Sequence, residues 1–287
     1  MPDSSNKILT ENIRKTNKSA TVLHKTPPKQ KTDKTLFCRY ELKYRIPEST
    51  ARAIAAYIRP YIHPDKYAHS SPSGTYLISS LYYDSDSLRL CRDTLEKRKN
   101  RFKLRIRIYS DDQAAPCFFE VKRRINNVIL KGRARVAKKD IQPILSGSLP
   151  ENIYKKDKQV LRQFQLYKDS LNARPLMLVK YDRQAFEGDT ANRVRITFDR
   201  NLQYKSVISP EVQVHGPGWQ RVPYNFVILE IKFTQRFPAW LSNMVKCFDL
   251  KQKAFSKYAS TIEQSNALGA TSPIRMRGYH GSYLANS

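Results

Sequence analysis

Read in steps of two, residues 101–109 separate into two faces, Arg101, Lys103, Arg105 and Arg107 against Phe102, Leu104, Ile106 and Ile108. Side chains alternate across a strand, so this spacing predicts a strand with one cationic and one apolar face. The alternation recurs at 36–46, where Glu41, Lys43 and Arg45 oppose Tyr40, Leu42, Tyr44 and Ile46, and at 128–136, where Lys131, Arg133 and Arg135 oppose Leu130, Gly132, Ala134 and Val136. It returns at 193–199, with Arg193, Arg195, Thr197 and Asp199 against Val194, Ile196 and Phe198, and at 226–233, with Ile228, Glu230 and Lys232 against Val227, Leu229, Ile231 and Phe233. Further strands are predicted at 75–83, 117–124 and 176–185, and Asn126-Asn127 suits a tight hairpin turn. A helical period marks 48–58 behind Pro47, then 87–94, 139–146, 152–171 and 238–248, and Ser256-Lys257-Tyr258 opens another helix.

Like charges in a row repel, so the 101–107 face makes sense when a polyanion lies across it. A flat sheet with water on its charged side would show the same alternation with no function. Two features argue against that: the charges are mostly of one sign, and the exceptions recur as Glu-x-Lys, at Glu41/Lys43, Glu120/Lys122 and Glu230/Lys232. Closing about eight such strands into a barrel, charged faces inward and helices over the apolar outside, gathers the cations into a water-filled tunnel. Arginines there need a bound polyanion or counter-ions, and a phosphate chain matches their paired donors. The glutamates then suit a hard divalent cation bridged to phosphate oxygens.

Composition agrees without choosing the partner. The 287 residues carry 52 Lys+Arg against 25 Asp+Glu, a net charge of +27, which fits nucleic acid, an acidic membrane surface or phosphate chains. With 40% hydrophobic residues the chain can bury a core. Residues 1–34 read as a disordered basic tail and 269–287 as a flexible one, leaving 35–268 as the folded domain. Cys38, Cys91, Cys117 and Cys247 stand too far apart for a metal or redox pair and read as packed, reduced thiols of a cytoplasmic protein. No apolar run has the length of a membrane span and the N-terminus lacks a signal-peptide core, so work at a membrane would need a partner protein to supply the span. The histidines show no ligand spacing, and Asp84 reads as a turn or helix-cap residue.

The ordered set Tyr40-Glu-Leu-Lys-Tyr-Arg45, Tyr82-Tyr-Asp-Ser85, Lys103-Leu-Arg-Ile-Arg-Ile-Tyr109, Phe119-Glu-Val-Lys122, Tyr181-Asp-Arg-Gln-Ala-Phe186, Arg195-Ile-Thr-Phe-Asp199, Leu229-Glu-Ile-Lys232 and Ser256-Lys-Tyr258 resembles the polyphosphate polymerase domain of the VTC family, within the triphosphate tunnel metalloenzymes. The resemblance spans roughly 37–262. It implies an α+β fold, an antiparallel β tunnel barrel with helices packed around the outside. It also implies transfer of the γ-phosphate of ATP to a growing inorganic polyphosphate chain, with Mn2+ or Mg2+ required and no specific nucleic acid partner. Many tunnel relatives open with Glu-x-Glu-x-Lys; here Lys43 stands in place of the second acid, as in the VTC branch, which shifts the reading away from simple triphosphatase or cyclase activity. Eukaryotic members add a regulatory domain and membrane segments for which this chain has no room, so vacuolar translocation and inositol-phosphate control are not carried over.

By the same resemblance Arg105 and Arg107 are the phosphate-binding pair, Arg183 and Arg195 further phosphate ligands, Glu230 the metal ligand and Lys257 a lysine closing the tunnel. Lys43 and Lys122 complete the expected catalytic set. Glu41, Arg45, Arg101, Lys103, Glu120, Lys131, Arg133, Arg193 and Lys232 join Lys257 as expected substrate-binding residues, with Glu41 and Glu120 suited to orienting neighbouring cations. Two other readings stand beside the polymerase: a triphosphatase of the same fold, and a non-catalytic polyanion-binding module.

Overall fold

A computed structural model gives the arrangement of residues 39–126, 128–189, 193–234 and 237–267. The tails expected at 1–34 and 269–287, together with Cys38 and Asn127, lie outside these described residues. Eight strands make up the main path: β1 (Arg39–Ile46), β3 (Tyr76–Asp84), β4 (Asn100–Ile108), β5 (Cys117–Ile125), β6 (Val128–Val136), β7 (Arg174–Glu187), β8 (Arg195–Ser206) and β10 (Val227–Thr234). They pair in the order β1-β10-β8-β7-β3-β4-β5-β6, every pair antiparallel, and two short strands, β2 (His63–Pro64) on β7 and β9 (Gln220–Arg221) on β8, extend the sheet. The sheet curls into an open, tunnel-like barrel whose edge strands are β1 and β6. Across that seam, Lys122 on β5 reaches Glu41 on β1 at 3.1 Å, so side chains tie the inner walls together.

The helices are α1 (Glu48–Tyr57), α2 (Lys66–His69), α3 (Arg89–Leu95), α4 (Ile141–Leu145), α5 (Lys155–Ser170), α6 (Ala239–Cys247) and α7 (Lys257–Ala267). Two apolar layers cover the outside of the sheet. In one, Leu104, Ile106, Phe119, Val121 and Ala134 meet Leu161 and Phe164 of α5 and Ile141 and Ile144 of α4. Gly132 permits this approach, because a Cβ there would stand 3.1 Å from Val160 of α5. In the other, Tyr44, Ile196, Phe198, Leu229 and Ile231 meet Ile54 of α1 and Leu241 and Met244 of α6. The turn after β5 takes two residues, with Ile125 facing Val128 and Asn126 at φ 52°, the left-handed geometry that a tight hairpin requires.

Besides the helices over the outside, one helix, α7, packs on the inward side of the sheet. Its Tyr258, Ala259 and Ile262 pack with Ile78, Tyr82, Met177, Val179, Tyr181 and Ile228 from the inward side of the sheet, and with Leu88, Cys91 and Leu95 around α3. Tyr258 stacks on Tyr82 at 4.7 Å and donates to Asp84 at 2.8 Å. Asp84 also accepts from the backbone of Ser85, Leu90 and Cys91, so the expected cap residue holds the start of α3 and seats α7 as well. The interior is therefore apolar at one end and charged beyond it. Cys91 and Cys117 are buried free thiols, whereas Cys247 is exposed and not packed as expected. Among the described residues no helix is long and apolar enough to cross a membrane.

Replacing Tyr258 by Phe keeps the stack on Tyr82 and removes one donor from the buried Asp84. Thermal unfolding should register a loss of roughly 1–2 kcal/mol, a fall of several degrees in Tm. An unchanged Tm would mean that the stack alone seats the helix.

Candidate functional site: a charged tunnel interior

Antiparallel pairing of β1 with β10 sets two Glu-x-Lys motifs against each other in reverse, Glu41 facing Lys232 and Lys43 facing Glu230. Opposite charges directly across a strand pair are mutually stabilising. Glu230 sits among four cations: its Oε1 meets Lys43 at 3.2 Å and Lys257 at 3.3 Å, and its Oε2 meets Lys232 at 2.7 Å and Arg183 at 4.0 Å. Beside it, fully buried Asp199 accepts two bonds from Arg183, at 2.6 and 2.7 Å, and pairs with Lys257 at 2.6 Å. Lys257 is the first residue of α7, so the inserted helix delivers its ammonium between these two carboxylates.

The other wall is built on Glu120, which is 1% exposed. Register places it between Arg105 on β4 and Arg133 on β6, and it meets Arg105 at 2.6 Å, Lys131 at 2.8 Å, Arg133 at 3.5 Å and Arg107 at 4.0 Å. Arg105 donates to the Tyr82 hydroxyl at 3.0 Å, and Arg107 donates to Ser80 at 3.2 Å and Tyr181 at 3.4 Å. Each arginine is thus held in a fixed orientation. Next to them Lys103, Lys122 and Lys131 stand side by side across β4, β5 and β6. Lys122 and Lys131 have side chains 37% and 42% exposed, which shows that water reaches this part of the wall.

Burial raises carboxyl pKa values, yet here the cations win. Burial works against ionised Glu41, but Lys43 and Lys122 hold it down to about 2. Glu120, buried beside Arg105 and Arg107, and Glu230, buried beside Lys232, Lys43 and Lys257, are likewise held below the usual carboxylate range. Burial also opposes the charge on Asp199, which Arg183 and Lys257 outweigh. Such groups contribute stability above the ordinary carboxyl range that is lost as pH falls toward their depressed values. Lys103 goes the other way: burial, reinforced by Lys43 and Lys122, lowers it from 10.5 to about 7, and its Nζ lies 3.0 Å from Ser256 Oγ at the start of α7.

Among the described residues no group of three His, Cys, Asp or Glu is placed to cage a metal. Glu230 and Asp199 share Lys257, and the oxygens of Glu230 are already engaged by cations. That donor set fits a divalent ion that takes one or two carboxylates from the protein and the rest of its ligands from phosphate and water.

Of the residues singled out in the sequence, the structure brings together Glu41, Lys43, Lys103, Arg105, Arg107, Glu120, Lys122, Lys131, Arg133, Arg183, Glu230, Lys232 and Lys257. Arg195 faces Lys232 across the β8–β10 pair, with its guanidinium held by Asp65 and Glu187, each at 2.6 Å. Arg193 precedes β8 and is exposed, Arg101 donates to the Arg98 carbonyl, and Arg45 lies 5.2 Å from the rings of both Phe226 and Phe255. Asp199 was missed as a site residue although its alternation with Arg195 and Thr197 marks its face. Tyr82, Tyr181 and Ser256 were missed because nothing in an alternating pattern distinguishes a hydroxyl that orients an arginine from one that packs.

Residues 38–266 match the VTC domain family. Subunit 4 of the vacuolar transporter chaperone complex of Schizosaccharomyces pombe is 23% identical over 255 residues, covering 73% of this chain and 34% of that protein, so the chain spans about a third of that relative. A putative adenylyl cyclase from Hippeastrum, described as having a dominant triphosphatase activity, superposes with a TM-score of 0.45 at 14% identity, over 80% of this chain and 96% of that one. The PH1819 protein of Pyrococcus horikoshii gives a TM-score of 0.41 at 13% identity, over 79% of this chain and 99% of that one.

The lowered Lys103 predicts that anion binding at this wall depends on pH. Without ligand, the unfolded chain keeps this proton up to about 10.5 while the folded protein releases it near 7, so its contribution makes stability rise across that window. An anion beside Lys103 restores the charged form, so inorganic triphosphate binding at pH 8 should take up protons and weaken as pH rises. Titration calorimetry in two buffers of different ionisation enthalpy reads this directly. Equal heats in both, or no loss of the difference in Lys103→Met, would remove Lys103 from the binding site.

Proposed function

The chain belongs to the VTC domain family, and from that premise we propose that it is a polyphosphate polymerase, moving the γ-phosphate of ATP onto the end of an inorganic polyphosphate chain and releasing ADP. The observation that carries this reading is the convergence of Arg105, Arg107, Arg183, Lys43, Lys122 and Lys257 on one interior, where buried carboxylates hold them in place. The domain responsible is residues 35–268, working where ATP is supplied, in the cytoplasm.

The acceptor is a phosphate oxygen already anionic at neutral pH, so no side-chain nucleophile is needed. The bond between the β,γ-bridging oxygen and the γ-phosphorus breaks as the chain's terminal oxygen bonds to that phosphorus. Catalysis then rests on aligning two anions and stabilising the charge that moves onto the leaving ADP. Arg105 and Arg107 are suited to grip the transferring group, since Glu120, Tyr82, Ser80 and Tyr181 fix their planes before substrate arrives. Arg183, clamped by Asp199, presents its remaining edge toward Glu230. Lys43, Lys122, Lys131 and Lys232 are point charges on flexible stems, suited to a chain that advances one phosphate at a time. Glu230 is the carboxylate on which a Mn2+ or Mg2+ ion entering with the phosphates would rest; when bound, it would neutralise charge on their oxygens. Arg195, tied to Asp65 and Glu187, contributes at the rim of the tunnel.

Purified protein given ATP and Mn2+ should produce long phosphate chains that resolve as a ladder on a gel. Release of ADP and orthophosphate alone would make the protein a triphosphatase, and binding without turnover would make it a polyanion-binding module. Arg105→Lys, which keeps the charge and loses the paired donors, should cut the polymerisation rate at least tenfold. Glu230→Gln should abolish metal-dependent synthesis while leaving polyphosphate binding in place.

A further inference from the structure

Three tyrosines form a ring cluster beside the arginine wall. Tyr67 and Tyr109 lie 6.0 Å apart and 5° from parallel, and Tyr76 stands 5.6 Å from Tyr67 and 6.3 Å from Tyr109. Tyr76 opens β3 opposite Arg183, and Tyr109 directly follows β4, two residues beyond Arg107 on the same face. Arg133 donates to the Tyr109 hydroxyl at 3.1 Å, and Arg195 lies 3.4 Å from the Tyr76 hydroxyl. The cluster therefore touches the cations of the tunnel at the end of β3 away from Asp84 and the inserted helix.

The segment carrying Tyr67 is firmly anchored. Buried Asp65 accepts from Ala68 N at 2.9 Å, from the Tyr76 hydroxyl at 2.9 Å and from Arg195 at 2.6 Å. Tyr76 and Tyr109 are partly buried against the interior apolar cluster, whereas Tyr67 is 50% exposed. A ring recruited only to pack this segment would bury more of itself; this one presents half its surface to water beside a row of phosphate-binding groups. Lys66, itself exposed, holds its ammonium 4.9 Å from the Tyr67 ring centroid, so the ring is already a platform for a cation.

We propose that Tyr67, backed by Tyr109 and Tyr76, is the nucleobase subsite: the base of a nucleoside triphosphate stacks on Tyr67 while its phosphates run inward past Arg107 and Arg183. This rests on the reading of ATP as phosphate donor and assigns the part of the donor that an inorganic chain lacks. The base displaces Lys66 from the ring, and that ammonium is then free to meet the phosphate nearest the sugar. Stacking uses the π-face that every base has, so a larger purine holds better than a pyrimidine and base-edge identity matters little.

The test compares β,γ-imido-ATP with inorganic triphosphate as ligands of the full chain, by calorimetry, for wild type, Tyr67→Ala and Tyr67→Phe. Tyr67→Ala should weaken the nucleotide roughly tenfold and triphosphate less than about twofold, and Tyr67→Phe should bind both like wild type. Equal weakening of both ligands, or no change for the nucleotide, overturns the subsite. If wild type binds triphosphate normally and the variants change nothing, the subsite alone fails; if wild type binds neither ligand, the polymerase reading fails with it.

Discussion

Everything in the interior depends on carboxylates that stay ionised where burial disfavours them. Glu41, Glu120, Asp199 and Glu230 lie on the inward face of the curled sheet, and each is held charged by cations rather than by water. Removing one partner of such a pair costs more than the pair itself contributes, because a buried charge is left uncompensated. The arginines and carboxylates thus fix one another before any ligand is present. Arginines in such a tunnel were expected to need a bound polyanion or counter-ions, and for Arg105 and Arg183 the carboxylates Glu120 and Asp199 already supply counter-charge.

Pairing does not exhaust the positive charge. Glu120 alone meets Arg105, Arg107, Lys131 and Arg133, and Glu230 meets Lys43, Lys232, Lys257 and Arg183. Cations outnumber carboxylates in both nests, and beside them burial, reinforced by Lys43 and Lys122, lowers Lys103 to about 7. A bound phosphate chain would relieve this repulsion and would find the arginines already oriented. On the proposed function, selectivity for a linear polyanion would come from the walls: fixed arginine planes on one stretch, lysine tips on the next.

The strand faces were legible because the period of two survives along 101–109, 128–136 and 226–233, and the single-sign faces of the first two are hard to explain any other way. Pairing register then converts faces into contacts, which sequence spacing alone does not supply. Lys43 meets Glu230, 187 positions further along the chain, only because β1 pairs with β10 in that register. Asp65 was invisible for the opposite reason: it sits between a two-residue strand and a four-residue helix, where no period exists, and its partner Arg195 is 130 residues away. The inward seat of α7 was not legible, because Tyr258, Ala259 and Ile262 give an ordinary amphipathic pattern, which says that one side is buried but not whether it is buried inside the barrel or over it.

Two carboxylates occupy reciprocal places in the β1–β10 pair, and only one of them is suited to hold a metal. Glu41 is bound by Lys43 at 3.2 Å and by Lys122 at 3.1 Å, so it stitches the seam between β1 and β5, and drawing it toward an ion would loosen that closure. Glu230 adjoins a second carboxylate, Asp199, through the shared Lys257, and Arg183 stands against both. Two nearby acids bridged by a lysine can exchange that lysine for a divalent cation without leaving either acid unpaired, since Arg183 remains with Asp199 and Lys232 with Glu230. The ammonium that such an exchange would release is carried on the first turn of α7, which starts beside Ser256 and Lys103, and would be free to meet a phosphate. On the proposed function the inserted helix would link metal binding to phosphate binding through Lys257, which would give a barrel of this kind a physical reason to seat one helix inside.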